Sequence, residues 1–281
     1  MPDSRSIVLE NRDLGGGVWL LRFRDPVIAA DAGPGQFVMI TCGEPLEPLI
    51  LRRPFSIQRV VGDVYDVLYR VVGEGTSRMA GLVAGDGVQV LGPLGNTFTL
   101  PQPDETAVLL GGGVGIPPMV ALADALEAAG HTRWEAYVGV SGTSDEGCFV
   151  GFDERWRDDP RVRRATMDGS IGFEGHVVAA WLDRGLAGPT RAYACGPMVM
   201  LRAVAEVAEE RAVPAEVSVE TMMGCGVGAC MSCVIENRAF RDGDAATRAA
   251  MSPYDRWLLA CRKGPVFPSQ RIVLDGGEFL H

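Results

Sequence analysis

The sequence predicts a mixed β and α/β protein. An antiparallel β-barrel is expected over residues 1–100, a Rossmann-like parallel α/β lobe over 101–217, and a small C-terminal lobe over 218–281. Three observations carry that expectation. Short apolar runs separated by Gly, Pro and Asp turns fill the first hundred residues. Strand-like apolar segments then alternate with helix-like ones as far as Arg211. After Ser218 the composition changes again, and nine residues, CGVGACMSC, hold three of the seven cysteines.

In the first region the candidate strands are Val18–Phe23, Gln36–Ile40, Pro54–Val60, Tyr65–Val71 and Gly87–Leu91. No helical period persists between them, which points to a small barrel or sandwich. PQPDET, from Pro101, is a polar connector. Ala107–Leu110 is an apolar strand, the glycines after it turn the chain, and Met119–Ala129 has the spacing of a buried helix. Trp134–Val140 and Ala192–Cys195 are further strands, the latter followed by a helix from Pro197 to Arg211. This alternation predicts a parallel sheet with crossovers. The third region contains the cysteine cluster, a polar stretch (Glu236–Arg256) and a last apolar segment (Pro265–Leu274).

Composition narrows the function. Of 281 residues 47% are hydrophobic, enough for a substantial core, and the net charge of −10 argues against a nucleic-acid binder. The first twenty residues lack a signal-peptide core, and no eighteen-residue apolar run occurs, so neither secretion nor a membrane span is expected. A cytoplasmic chain keeps its thiols reduced, where clustered cysteines point to metal or redox chemistry.

The cysteine spacing is Cys225-x4-Cys230-x2-Cys233, with Cys261 after twenty-seven intervening residues. C-x4-C-x2-C with a distant fourth cysteine is the plant-type 2Fe-2S pattern. Gly224, Gly226 and Gly228 allow a loop to wrap a cluster with its amides turned inward, and Ala229 and Ser232 are small enough not to crowd it. Zinc, which prefers paired C-x2-4-C knuckles, and four buried unligated thiols are the rival readings. Cys261 is the expected fourth ligand, with Cys42, Cys148 and Cys195 as competitors.

Several short stretches suit phosphate and nucleotide. In Leu51–Ser56, LRRPFS, the adjacent Arg52 and Arg53 can pair with a pyrophosphate and Ser56 can reach a ring nitrogen; a solvated basic turn is the alternative. VGEGTS, from Val72, offers bare amides and a hydroxyl, and GPLGN, from Gly92, reads as a tight double turn. These three stretches stand in the order found in flavin-binding barrels of the ferredoxin reductase type. LGGGVGIPP, from Leu110, follows a strand and opens a helix, the setting of a dinucleotide loop built on Gly111, Gly113 and Gly115. Its third fingerprint glycine is replaced by Ile116 or Pro118, so it resembles the G-x-G-x-x-P form of ferredoxin reductases. Cys195-Gly196-Pro197-Met198 lies between a strand and a helix, and in such reductases this tetrapeptide lies near the nicotinamide. A packed strand-to-helix turn is the plainer reading. SGTSDE, from Ser141, carries two acids and no arginine, which favours NADH over NADPH.

Taken in order, RRPFS, GEGTS, GPLGN, GGGVGIPP, ACGPM, ETMMGCGVGACMSC and CRKGPVF cover nearly the whole chain. The sequence resembles the electron-transfer subunits of the NAD-dependent, class 1B dihydroorotate dehydrogenases. The resemblance implies a flavin barrel, an NAD lobe and a 2Fe-2S lobe. It also implies a separate FMN-containing catalytic subunit as partner, two copies of each chain forming a heterotetramer. It assigns FAD contacts to Arg53, Pro54, Phe55, Ser56, Leu68, Tyr69, Arg70, Gly75 and Thr76, and cluster ligands to Cys225, Cys230, Cys233 and Cys261. Two features depart from the family pattern. The interval from Cys233 to Cys261 is longer than expected, and Phe55 stands where related reductases often have tyrosine.

Electron counting fixes the order of cofactors. Nicotinamide yields two electrons as hydride, a 2Fe-2S cluster accepts one, and a flavin does both, so FAD stands between NAD(H) and the cluster. Hydride transfer needs no acid or base, so no catalytic residue is assigned; Glu220, before the cysteine loop, is placed near the flavin or on the surface. A second barrel of about 250 residues does not fit within the chain, so dihydroorotate oxidation is expected on another polypeptide. Met222, Met223 and Met231 are candidates either for contact with that partner or for the core beside the cluster. Subunits of hydrogenases, sulfide dehydrogenases and ferredoxin–NADP reductases share the layout and give the alternative partner. A redox sensor is the reading from a different class.

Overall fold

The computed structural model describes residues 2–43, 51–185 and 188–275. Six strands close a barrel: β1 (Asp3–Asp13), β2 (Val18–Arg24), β3 (Phe37–Ile40), β4 (Arg53–Val61), β5 (Val64–Arg70) and β6 (Gly87–Leu94), in the order β1-β2-β5-β4-β3-β6. Every pairing is antiparallel. Inward positions of β2 and β5, such as Leu21, Phe23, Val67 and Tyr69, are buried in the barrel, while Val18, Leu20 and Leu68 on the alternate face pack against the nucleotide lobe. Two short helices cap the turns, α1 (Pro26–Asp31) and α2 (Glu74–Met79).

Strand β1 was not among the sequence expectations. Its composition, DSRSIVLENRD, is mostly polar, yet it pairs with β2 on one edge and β6 on the other. A buried network explains the tolerance. Asp25, 3% exposed, accepts the hydroxyls of Ser4 (2.5 Å) and Ser6 (2.7 Å) and the amides of Val27 and Ile28 that open α1. Replacing Asp25 with alanine strands these donors and is expected to destabilise the barrel by about 2–4 kcal/mol. A denaturant midpoint that hardly moves would show the network to be dispensable.

The Gly92-Pro93-Leu94 stretch, expected in a double turn, instead extends β6 to Leu94. Only Gly95 turns, at φ +78°, and an added Cβ there would lie 2.5 Å from Pro265 Cδ.

The chain then runs through β7 (Thr106–Gly112), α3 (Pro117–Ala128), β8 (Trp134–Val140), α4 (Val150–Trp156), β9 (Val162–Thr166), β10 (Phe173–Glu174), α5 (Val177–Arg184), β11 (Thr190–Cys195), α6 (Met198–Glu210) and β12 (Ala215–Ser218). After the cysteine loop come β13 (Val234–Glu236), α7 (Arg238–Asp242), α8 (Ala245–Ala250), β14 (Trp257–Leu259), α9 (Ala260–Lys263) and β15 (Val266–Pro268). The second sheet is ordered β10-β9-β8-β7-β11-β12-β15. It is parallel except for β15, which runs antiparallel to β12. Residues of α3 and α4 pack with Leu109, Trp134 and Val138 on one face, and residues of α5 and α6 with Leu110, Ala192 and Val217 on the other. Both faces are thus covered, as a parallel sheet demands.

β13 and β14 form a hairpin that brackets the long interval. Within it, Arg238 pairs with Glu209 of α6 at 3.2 Å, and Arg241 pairs with Asp275. No helix among the described residues is long and apolar enough to cross a membrane.

Candidate functional site

A cleft of about 580 Å³ opens between the barrel, the end of β12 and the cysteine loop. Arg53, Pro54, Phe55 and Ser56 reach it from β4, Leu68, Tyr69 and Arg70 from β5, and Gly75 and Thr76 from α2. The antiparallel β4–β5 pairing brings the first two groups side by side, and the Phe55 and Tyr69 rings meet edge-on at 6.0 Å. The Tyr69 hydroxyl turns away to Asn11 Oδ1 (3.1 Å), and burial pushes its phenol above the ordinary range.

The two adjacent arginines separate. Arg53 lines the cleft, whereas Arg52 is held by both carboxylate oxygens of Asp3, at 3.0 and 2.9 Å. The Thr76 hydroxyl is occupied in its own turn, accepting the Val72 and Gly73 amides at 2.9 and 3.2 Å. Arg70 is fixed from both lobes: its guanidinium donates to Asp145 of the nucleotide lobe (2.9 Å) and to the carbonyl of Gly16 in the β1–β2 turn (3.1 Å).

Outside the stretches that the sequence reading assigned to it, seven further residues line the cleft: Phe37, Val114, Ser218, Val219, Thr221, Met223 and Pro265. Val114 sits inside the glycine motif, Thr221 and Met223 inside ETMMGCGVGACMSC, and Pro265 inside CRKGPVF. The others come from strand ends and loops whose meeting depends on tertiary register.

Beside the cleft, the two glycine motifs face each other. β7 and β11 are adjacent and parallel, with Gly111 opposite Cys195. From β7 the sheet grows through β8 and β9 in one direction and through β11 and β12 in the other, so their carboxyl ends form a topological switch point. Gly113, at φ +55°, has open space around a would-be Cβ. Gly115 is packed onto the opposite turn, where a Cβ would stand 2.5 Å from the Cys195 carbonyl and the Gly196 amide. Pro197 closes that turn at the head of α6. Cys195 is fully buried and its thiol is pushed up strongly by desolvation.

The acids of Ser141–Glu146 divide. Asp145 is turned toward Arg70 of the barrel, while Glu146 is exposed. Asp168, just past the end of β9, lies beside the turn that follows β8, its carboxylate 3.1 Å from where a Gly142 Cβ would stand.

On the other side of the cleft lie the thiols. Cys225 Sγ accepts the amides of Val227 (3.4 Å), Ala229 (3.3 Å) and Cys230 (3.4 Å). Positive φ at Gly226 (+71°), Gly228 (+84°) and Met231 (+61°) folds the loop this tightly. Gly226 also lets the loop rest on the barrel, since a Cβ there would lie 2.7 Å from Met39 Cγ. The exposed Cys230 thiol is held down at about 6 by the Ser232 hydroxyl and amide, with a smaller contribution from Cys225. Cys233 and Cys261 are buried together, the Cys261 amide donating to Cys233 Sγ at 3.5 Å. Among the described residues no three ligand side chains converge as a ready site for one ion; the thiols stand two and two. Cys42, Cys148 and Cys195 lie elsewhere, in the barrel, the turn before α4 and the end of β11.

Comparison with known proteins follows this geometry. Residues 220–273 match the iron-sulfur cluster binding domain of dihydroorotate dehydrogenase B. The electron transfer subunit of dihydroorotate dehydrogenase B (NAD(+)) from Desulforamulus reducens is 38% identical over 91% of this chain and 92% of its own length. The subunit of the same name from Bacillus mycoides is 34% identical over 98% of this chain and all of its own length. Among solved structures, an NADH-dependent reduced ferredoxin-NADP oxidoreductase superposes with a TM-score of 0.78 at 25% identity, covering 96% of this chain and 90% of that one. Phthalate dioxygenase reductase shares the fold, with a TM-score of 0.62 at 19% identity, over 84% of this chain and 86% of that one. On sequence identity across nearly its full length, the chain belongs to the family of electron transfer subunits of NAD(+)-dependent dihydroorotate dehydrogenase B.

Proposed function

We propose that this chain carries electrons between NAD(H) and a partner subunit that holds FMN and oxidises dihydroorotate to orotate, in pyrimidine biosynthesis. Residues 1–100 hold FAD, 101–217 hold NAD(H) and 218–281 hold a 2Fe-2S cluster. The observation that carries the reading is the contiguity of three sites. Val114, at the tip of the glycine loop, lines the same cleft as Arg53 and Phe55, and so does Met223, two residues before Cys225.

The residues suit the groups assigned to them. Phe37, Pro54, Leu68 and Val219 give the cleft walls for a flat ring, and Arg53 and Arg70 supply two fixed positive charges for a pyrophosphate. Three amides donate to Cys225 Sγ, as backbone amides do to the sulfurs of a cluster, and the pairing of thiols two and two matches a centre with two metal atoms. FAD, when bound, exchanges hydride with nicotinamide and single electrons with a 2Fe-2S cluster. This chain's own residues do the positioning. The β7 and β11 turns seat the nucleotide so that its reactive end reaches the cleft beside Val114. Cys225, Cys230, Cys233 and Cys261 hold the cluster at the rim, where the exposed Cys230, Met222 and Met231 face a partner.

All seven cysteines are free thiols, which supports a cytoplasmic setting. The proposed assembly is a heterotetramer, two copies of this chain with two FMN subunits. Purification of both chains together, followed by assay with dihydroorotate and NAD, tests the reading. Orotate formation that requires both chains is expected. A chain that reduces some other acceptor while orotate never forms would rule the reading out.

The Arg70–Asp145 pair gives a second expectation. Asp145 belongs to the nucleotide lobe and fixes a barrel arginine at the FAD site. Asp145→Asn is expected to weaken FAD binding about fivefold, in line with roughly 1 kcal/mol for a half-buried ion pair. Flavin fluorescence titration of the apoprotein measures it.

A further inference from the structure

We infer that Asn96, which ends the GPLGN stretch, is a positioning residue for the iron-bearing tail: it clamps the segment after Cys261 to the flavin barrel and so fixes the path from the cleft to the cluster. The inference rests on the assignment of FAD to the cleft and of the cluster to the four cysteines.

Its place in the sequence groups GPLGN with the flavin-binding stretches, yet neither Gly95 nor Asn96 lines the cleft. Their partners lie in the tail. Asn96 Nδ2 donates to the Val266 carbonyl (2.8 Å), and Asn96 Oδ1 accepts the Val266 amide (3.0 Å). The backbone amide of Asn96 donates to the Gly264 carbonyl (2.8 Å). Two bonds exchanged with one residue is the pattern of a hydrogen-bonded pair in an antiparallel ladder, made here by a side chain. It meets β15 on the side away from β12, toward which the Pro265 carbonyl turns to accept the Val219 amide at 3.0 Å. Gly95 permits the approach, since a Cβ there would lie 2.8 Å from the Gly264 carbonyl oxygen.

The clamped segment reaches both sites. Pro265 lines the cleft. The Gly264 amide donates to the Ala260 carbonyl (3.1 Å) and closes α9, which carries Cys261. One short piece of chain therefore runs from a cleft wall to a buried thiol, and Asn96 ties it to the barrel.

Asn96→Ala removes both side-chain bonds. Asn96→Asp keeps the shape and the acceptor but sets a carboxylate oxygen against the Val266 carbonyl. In the full, cofactor-loaded chain, amide hydrogen exchange across residues 260–268 is expected to quicken about fivefold in both variants, with the barrel strands unchanged. Flavin reduction by NADH stays within about twofold of wild type, while the next step, one electron lost by reduced flavin and one gained by the iron centre, slows about tenfold. Flavin and iron contents hold at wild-type levels. A packing role predicts that the isosteric Asn96→Asp matches wild type in both exchange and electron transfer, and that result overturns the inference. Wild-type cluster reduction in a variant whose tail has loosened overturns it too, as does protection lost throughout the barrel or flavin lost from the cleft. A wild-type chain that binds neither flavin nor iron overturns the site assignments and this inference together.

Discussion

Replacing Cys233 with serine yields a protein that still takes hydride from NADH but delivers electrons to its partner at least about 100-fold more slowly. Cys233 is 2% exposed and its sulfur accepts the Cys261 amide, so the substitution removes one of the proposed ligands and disturbs another. A serine oxygen is a harder donor than thiolate and holds iron–sulfur centres poorly. The cleft proposed for FAD is lined by neither Cys233 nor Cys261, so reduction of an artificial dye by NADH is expected to fall far less than transfer to the partner. Iron analysis, the visible spectrum and partner-coupled turnover measure the three effects. Full iron content with undiminished coupled turnover would remove Cys233 from the ligand set.

The second large effect lies across the cleft. Gly115→Ala places a methyl group 2.5 Å from the carbonyl of Cys195 and the amide of Gly196. Those are backbone atoms at the end of a central strand, and they have nowhere to retreat. The two turns at the switch point must separate, and a displacement near 1 Å of a bound reactant lowers a rate by about 100-fold. Flavin reduction by NADH in a stopped-flow experiment is the measurement, with FAD content as the control. Overpacking also destabilises, by about 1–3 kcal/mol. A variant with full FAD content and an unchanged reduction rate would show that nucleotide does not seat on this loop.

Much of this arrangement was legible before any coordinates. The strand-turn-helix setting of Leu110–Pro118, the apolar runs of the barrel and the cysteine spacing are local patterns, and each maps onto one element or loop. What escaped the sequence depends on distant partners. Asp3–Asp13 reads as polar, but it is a strand because two neighbours need an edge and because Asp25 satisfies its inward serines. Arg52 and Arg53 look equivalent in LRRPFS, and only the approach of Asp3 separates them. Asp145 reads as a nucleotide-lobe acid, yet it serves the barrel through Arg70.

The last strand carries a consequence for how this architecture can be taken apart. β15 follows Cys261 and hydrogen-bonds to β12, so the tail is sewn into the nucleotide sheet. It is not a bead on a tether. A truncation after Lys263 bares the β12 edge, an invitation to intermolecular strand pairing and precipitation. Anyone building a chimera by exchanging the iron-bearing tail must carry its final strand's mate along, or leave a raw seam.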